Sequence, residues 1–310
     1  MAKKSNKNLN KLKVFFIGSQ EAGCEAFSTL IESQISVVGC FSLKPAKHEK
    51  WEKDVSLLAK KNKIPVWDFD DHLTLSENPN NINDQNYVDI ISNLQPDLIF
   101  VLGWRQLIGN KIRRIPRLGV IGIHFSLLPK LRGHAPVSWS IINNQEYTGL
   151  TLFYFEAGAD TGDIIIQKET KIKIKDTALT LRKRLISLTR DAIIELVPYL
   201  KKGKIPSKKQ KNTDASITAY RLPVHGEIQW SKTSLEIYNE IRATTHPYPG
   251  AFTFYKGEKV IIWSASLLSE TPKYIGEPGQ VVMKNKNGLT VVTGDNAILI
   301  KTLEQGNQGE

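Results

Sequence analysis

In the first two hundred residues, short apolar runs alternate with amphipathic segments, a rhythm met by strands laid side by side under covering helices. Residues 14–17 make a strand, Gly18 allows a turn, and helical spacing runs on to Ile31 before a second strand over 35–43. This is the opening of a βαβ unit. Helical spacing returns over 53–61, a short strand follows at 64–69, and a polar insert over 71–86 interrupts the pattern. A helix over 87–94 then leads into the apolar run 97–102, which has the continuous hydrophobicity of a buried parallel strand. The Gly18 to Gly23 spacing does not reproduce the dinucleotide fingerprint, so Gly18 is assigned to the turn and no NAD site is expected.

Residues 164–174 alternate as strands do, and 177–200 carry the leucine and isoleucine spacing of a long amphipathic helix. Periodicity is lost over 201–216, a Lys-, Pro- and Ser-rich stretch with the composition of a linker. A boundary near residue 206 divides the chain into domains 1–205 and 206–310. In the second, one helix over 235–244 is accompanied by short glycine-punctuated strands in AFTFYKG, KVIIWSASLL, GQVVMKNKNGLTVVTG and AILIKTL. The expected fold class is α/β, a doubly wound, mostly parallel sheet followed by a smaller, mostly-β domain.

At 310 residues and 41% hydrophobic content, the chain can bury a large core. Its two cysteines, Cys24 and Cys40, offer neither a disulfide framework nor a four-cysteine zinc site, which suits a reducing cytoplasm. The basic N-terminus precedes too few apolar residues for a signal core or membrane span. The six histidines never fall at ligand spacing with cysteines or carboxylates, so no metal is expected. A net charge of +11 favours an anionic partner, although much of the excess lies in blocks at 3–13, 44–63 and 201–211 that suit solvated tails and helix faces. The tail 304–310 is polar and expected to fray.

The densest constellation lies between Gly119 and Asp163. Val120, Ile121 and Ile123 end a buried strand, which puts His124 at the strand end, where open α/β sheets bind ligands. Ser126, Pro129 and Gly133 then impose an irregular loop carrying Lys130, Arg132 and His134. The segment HFSLLPKLRGHAPVSW, followed by YTGLTLFYFEAGADTGDIIIQ, resembles the core of the 10-formyltetrahydrofolate-dependent formyltransferases, with their Asn-x-His-x-Ser-Leu-Leu-Pro-x-x-Arg-Gly pattern and distant Asp-x-Gly. Arg221-Leu-Pro, Gly226-Glu-Ile-Gln-Trp230 and Pro247-Tyr-Pro-Gly-Ala-Phe252 extend the resemblance into the second domain, where it implies an OB-like fold. The Arg-x-Pro element and the Trp263-Ser264 pair resemble most the enzymes that formylate amino groups of nucleotide-linked sugars.

The resemblance implies a transfer from 10-formyltetrahydrofolate to an amine, with His124 as general base and Asp160 folded back to orient it. It implies a folate site in two loops: Gly103, Trp104, Arg105 and Leu107 after the strand at 97–102, and Ser126, Leu127 and Leu128 after His124, together with Asp163. Lys130, Arg132 and His134 would offer positive charge to the substrate, with Arg132 meeting either the acceptor's pyrophosphate or the folate tail. A homodimer is implied by the sugar enzymes. The departure is Gly122, where the family pattern has asparagine, whose amide would hold the oxyanion; losing one such donor typically costs about two to three orders of magnitude in rate. Gln106 is the candidate substitute, with protonated His124 or a water as the alternatives. Tyr248, Phe252 and Trp230 are assigned to packing, and His246-Pro-Tyr-Pro to a rigid turn. Two alternatives stay open: a methionyl-tRNA formyltransferase, and a formyl-folate-binding protein that is hydrolytic or non-catalytic because of Gly122.

Overall fold

The chain is described by a computed structural model over residues 12–44, 54–70, 81–104, 106–269 and 272–305. Residues 71–80 of the polar insert, Arg105, and residues 306–310 of the tail lie outside the described residues. In chain order, β1 (Lys13–Gly18), α1 (Gln20–Glu32), β2 (Ser36–Lys44), α2 (Val55–Lys61), β3 (Val66–Asp70), α3 (Gln85–Leu94), β4 (Leu98–Leu102), α4 (Asn110–Arg113) and β5 (Val120–His124) follow the alternation expected. Then come β6 (Arg132–Gly133), α5 (Pro136–Ile142), β7 (Tyr147–Tyr154), β8 (Ile164–Lys171) and α6 (Ala178–Lys202). The chain ends with β9 (Ile217–Thr218), α7 (Ser234–Thr244), β10 (Ala251–Tyr255), β11 (Glu258–Leu267), β12 (Val281–Asn285), β13 (Gly288–Val292) and β14 (Ala297–Gln305).

Among the described residues, seven strands form one sheet in the order β3-β2-β1-β4-β5-β7-β8. It is parallel from β3 to β5, and β7 runs antiparallel to β5. Alternate residues of the central strands feed two cores. Val14, Phe16, Leu98, Phe100 and Ile121 pack on one face, with Leu196 and Ile193 of α6, while Phe15, Ile17, Ile99, Val101 and Val120 pack on the other. Burial on both faces is why these strands are continuously apolar. Cys24 and Cys40 are both buried in this fold, and burial, reinforced by Asp68 and Asp54, pushes the Cys40 thiol up to about 12. The region 164–174 is one strand rather than several, and β7 is a strand the sequence reading did not mark.

Two compact units divide the chain, the first formed by Met1–Pro129, Leu150–Lys168 and Leu185–Asp214, the second by Lys130–Gly149, Glu169–Arg184 and Ala215–Glu310. In the second unit, β10 to β14 form an antiparallel sheet in the order β10-β11-β14-β13-β12. One face is covered by α7, whose Ile237 and Ile241 pack with Ala251, Ile262, Ile298 and Ile300. Thr233 and Glu236 start α7 with a reciprocal capping box, satisfying two helix-end donors.

Candidate active site

In the first unit the strand order reverses between β1 and β4, the position at which doubly wound sheets open a crevice at their carboxyl ends. The loop leaving β4 begins at Gly103, whose φ of +68° and close approach to Ser19 O, 2.5 Å from where a Cβ would lie, require glycine. Ser19 N donates to Leu102 O at 3.1 Å, tying the turn after β1 to this loop. Further along, Gln106 Oε1 accepts from Ile82 N at 2.8 Å, and Asn83 bonds both Leu107 O and Gly109 N. Trp104 packs edge-on to Phe69 with ring centres 5.3 Å apart. Its indole N–H is buried and has no hydrogen-bond acceptor among the described residues. Leu107 is exposed.

His124 ends β5, only 8% exposed, opposite Thr151 of β7. Its Nδ1 lies 3.6 Å from Asp160 Oδ2, an ion-pair separation longer than a good hydrogen bond. Asp160 is positioned by its own loop. It adopts a left-handed φ of +54°, which aspartate tolerates better than most residues, and Gln210 Nε2 donates to both Asp160 O and Gly162 O, at 2.8 and 2.7 Å. Asp163 closes the same turn through its carbonyl, which accepts from Tyr154 N, while Ser207 Oγ donates to its carboxylate at 3.4 Å.

The loop leaving β5 is clamped to the sheet. Thr151 Oγ1 donates to Ser126 O at 2.7 Å and accepts from Leu128 N at 3.1 Å, while Gln167 Nε2 donates to Leu128 O and Thr151 Oγ1. Ser126 and Leu128 are buried, and a cis bond joins Leu128 to Pro129. Thr151, Gln167 and Gln210 were not singled out from sequence. The available signal was a polar residue inside an otherwise apolar strand, Thr in LTLFY and Gln in IIIQ.

Lys130, Arg132 and His134 belong to the second unit. Arg132 is 6% exposed, and its segment pairs in parallel with β9, with Thr218 Oγ1 donating to both Arg132 O and His134 O. His134 packs on Tyr220 with centres 4.1 Å apart. Of the three, His134 borders a cavity of about 140 Å³ in this unit, lined also by Ser138, Arg221 and Tyr248. Arg221 lies over the Trp139 ring, and burial lowers its guanidinium pKa against the opposing pull of Glu240. Phe252 is buried, and Trp230 packs against the core while donating to Thr253 Oγ1 at 3.0 Å.

The structure thus brings a histidine and an aspartate together at the carboxyl edge of the sheet, beside a clamped Ser-Leu-Leu-Pro loop. The chain belongs to the formyl transferase family: the family's Formyl transferase model matches residues 11–197, and its C-terminal domain model matches 223–309. A methionyl-tRNA formyltransferase of Alkaliphilus oremlandii (strain OhILAs) is 31% identical over 297 residues, covering 94% of this chain and 92% of that protein. In fold, the chain is similar to a sugar 3N-formyl transferase solved with dTDP and 5-N-formyl-THF, at 22% identity and TM-score 0.69, covering 97% of this chain and all of that one. It is similar also to an N-formyltransferase from Helicobacter canadensis solved with folinic acid and dTDP-3-aminofucose, at 21% identity and TM-score 0.69, covering 94% of this chain and all of the other. The protein is thus a formyltransferase. No helix among the described residues is long and apolar enough to cross a membrane.

Proposed function

We propose that the protein transfers the formyl group of 10-formyltetrahydrofolate to the amine of a nucleotide-linked amino sugar. The observation that carries the chemistry is the pairing of His124 Nδ1 with Asp160 Oδ2 at the end of β5. With Asp160 on Nδ1, Nε2 is the nitrogen that meets the acceptor. The acceptor amine attacks the formyl carbon, a new N–C bond forms, and a tetrahedral oxyanion develops. His124 Nε2 takes the proton the amine must lose, and the bond from the formyl carbon to N10 then breaks as N10 receives that proton. Asp160 fixes the imidazole and balances the charge it acquires.

The folate is assigned to the loops holding Gly103, Trp104, Arg105 and Leu107, and Ser126, Leu127 and Leu128, with Asp163 closing the neighbouring turn. The first loop suits a ligand rich in acceptors, because the Trp104 N–H is buried without one. Lys130, Arg132 and His134 are assigned to the phosphates of the acceptor. We assign catalysis to a domain 1–205 and the remainder, 206–310, to an OB-like domain, with a cytoplasmic homodimer as the working form.

What supports the sugar acceptor is the dTDP-aminosugar bound by the Helicobacter enzyme, whose whole length this chain matches. A second reading, charged methionyl-tRNA as acceptor, is favoured by the Alkaliphilus relative and by the net charge of +11. Incubation with 10-formyltetrahydrofolate and a panel of nucleotide-linked amino sugars, beside methionyl-tRNA, separates the two by mass. A formyl gain on one sugar, lost in His124→Ala, is expected; a gain on charged tRNA alone would replace the sugar reading with the second.

A further inference from the structure

Gly122 lies two residues before His124 on β5, so the two share one face of the strand. That face belongs to the core built on Val120, Val101 and Ile17, against which Phe155 also packs. Phe155 directly follows β7, at the head of the loop that carries Asp160, and its backbone N–H donates to Val120 O at 2.8 Å. Its ring fills the side-chain space of position 122. A Cβ built on Gly122 would overlap Phe155 Cε1, with Cζ at 2.8 Å and Cδ1 at 2.9 Å, all inside normal contact distance. The ring touches Phe153, 5.4 Å away between centres, and is itself half-buried, so a side chain at 122 requires the ring to shift. Gly122 itself is buried, and its φ is not in the left-handed region. Its need for glycine is therefore steric, set by one side chain.

We propose that Gly122 and Phe155 are a co-adapted pair in which an aromatic ring plugs the slot beside His124, and that Phe155 is a positioning residue for this site. A side chain at 122 would be the nearest same-face neighbour of His124 on its own strand. With the ring in that place, no amide projects from this position, and the oxyanion's charge falls to the imidazolium of His124 as held by Asp160. The catalytic half of this inference rests on the formyl-transfer reading; the packing half does not.

The two halves are tested on one set of variants: Gly122→Ala, Phe155→Ala, the double Gly122→Ala/Phe155→Ala, and Gly122→Asn/Phe155→Ala. Melting temperatures need no substrate. Gly122→Ala is expected to melt about 3 to 6 °C below the parent, and less than 2 °C below Phe155→Ala once that substitution is also present. Equal losses in both backgrounds overturn the pairing. In single-turnover formyl transfer, Gly122→Asn/Phe155→Ala is expected to exceed Gly122→Ala/Phe155→Ala at least about tenfold, because only the first restores a donor. It should also suffer a smaller fold-loss from Asp160→Asn than the parent chain does. Rates within twofold of each other overturn the charge assignment. If every protein binds formyl-folate and none forms product, the transfer reading fails, while the melting temperatures still decide whether ring and glycine are a pair.

Discussion

The loops leaving β4 and β5 are neighbours at one sheet edge and are held in opposite ways. After β5, the chain through Ser126 and Leu128 has its backbone groups answered by two side chains, Thr151 and Gln167, that reach in from adjacent strands. After β4, Asn83 bonds Leu107 O and Gly109 N from outside the sheet, the loop's own Gln106 side chain accepts from Ile82 N, and the Trp104 N–H has no acceptor among the described residues. A loop whose backbone groups are answered by the neighbouring strands is fixed in shape, as suits a frame that must hold reacting groups still. A loop with an unanswered buried donor keeps one polar group for something else.

The comparison is broken most severely at Thr151. Thr151→Val keeps the shape but strips a donor from Ser126 O and an acceptor from Leu128 N, both in buried surroundings, and an acceptor from Gln167 Nε2 at their edge. The expected cost is on the order of 3 kcal/mol in chemical denaturation, with about a hundredfold slower transfer as the loop after His124 drifts. Unchanged stability would mean that the clamp is incidental. Gln106→Leu is the next test, with a smaller effect. If its bond to Ile82 N is what Gln106 is for, stability falls by about 1 to 2 kcal/mol while the single-turnover rate stays within threefold. A hundredfold slower rate at unchanged stability would instead make Gln106 the donor that replaces the family's asparagine. Trp104→Phe should be smaller still. Removing an unpaired N–H leaves the free protein as stable or slightly more so, whereas formyl-folate binds up to about tenfold more weakly by equilibrium titration. Unaltered affinity would remove the indole from the folate site.

Much of this edge was legible in the sequence, for local reasons. Apolar runs marked β1, β4 and β5 because burial on both faces leaves no polar positions, and the end of the last run put His124 at the strand end. The facing of Asp160 depends on longer links that no local pattern carries: a left-handed backbone at 160 and an amide at 210, fifty residues away in the chain. Thr151 escaped notice because threonine is an ordinary strand former. Phe155 escaped because an aromatic after an apolar strand announces only burial. The departure at Gly122 was visible as a missing side chain, but that a ring takes its place is a tertiary fact. The second unit was read well for its strands, since glycine turns separate them, and poorly for β6 and β9, which are two residues long.

A last, conditional prediction separates the kinds of polar contact involved. The clamp after β5 is made of hydroxyl, amide and backbone groups, none of which titrates between pH 7 and 4. The deficit of Thr151→Val should therefore be the same at both ends of that range. The second unit contains the contrasting case. Asp176 is buried, which alone would raise its pKa, but Arg184 through both terminal nitrogens, the Lys173 N–H and the Thr180 hydroxyl together hold it below the ordinary value of 3.8. A carboxyl depressed on folding contributes stability that is complete above its unfolded pKa and is lost as pH falls through the folded one. Nothing should change at this network between pH 7 and 5, and its contribution should fade below about pH 4, where the clamp is still intact. A Thr151→Val deficit that shrinks by pH 5 would show that the clamp is not made of these neutral groups alone.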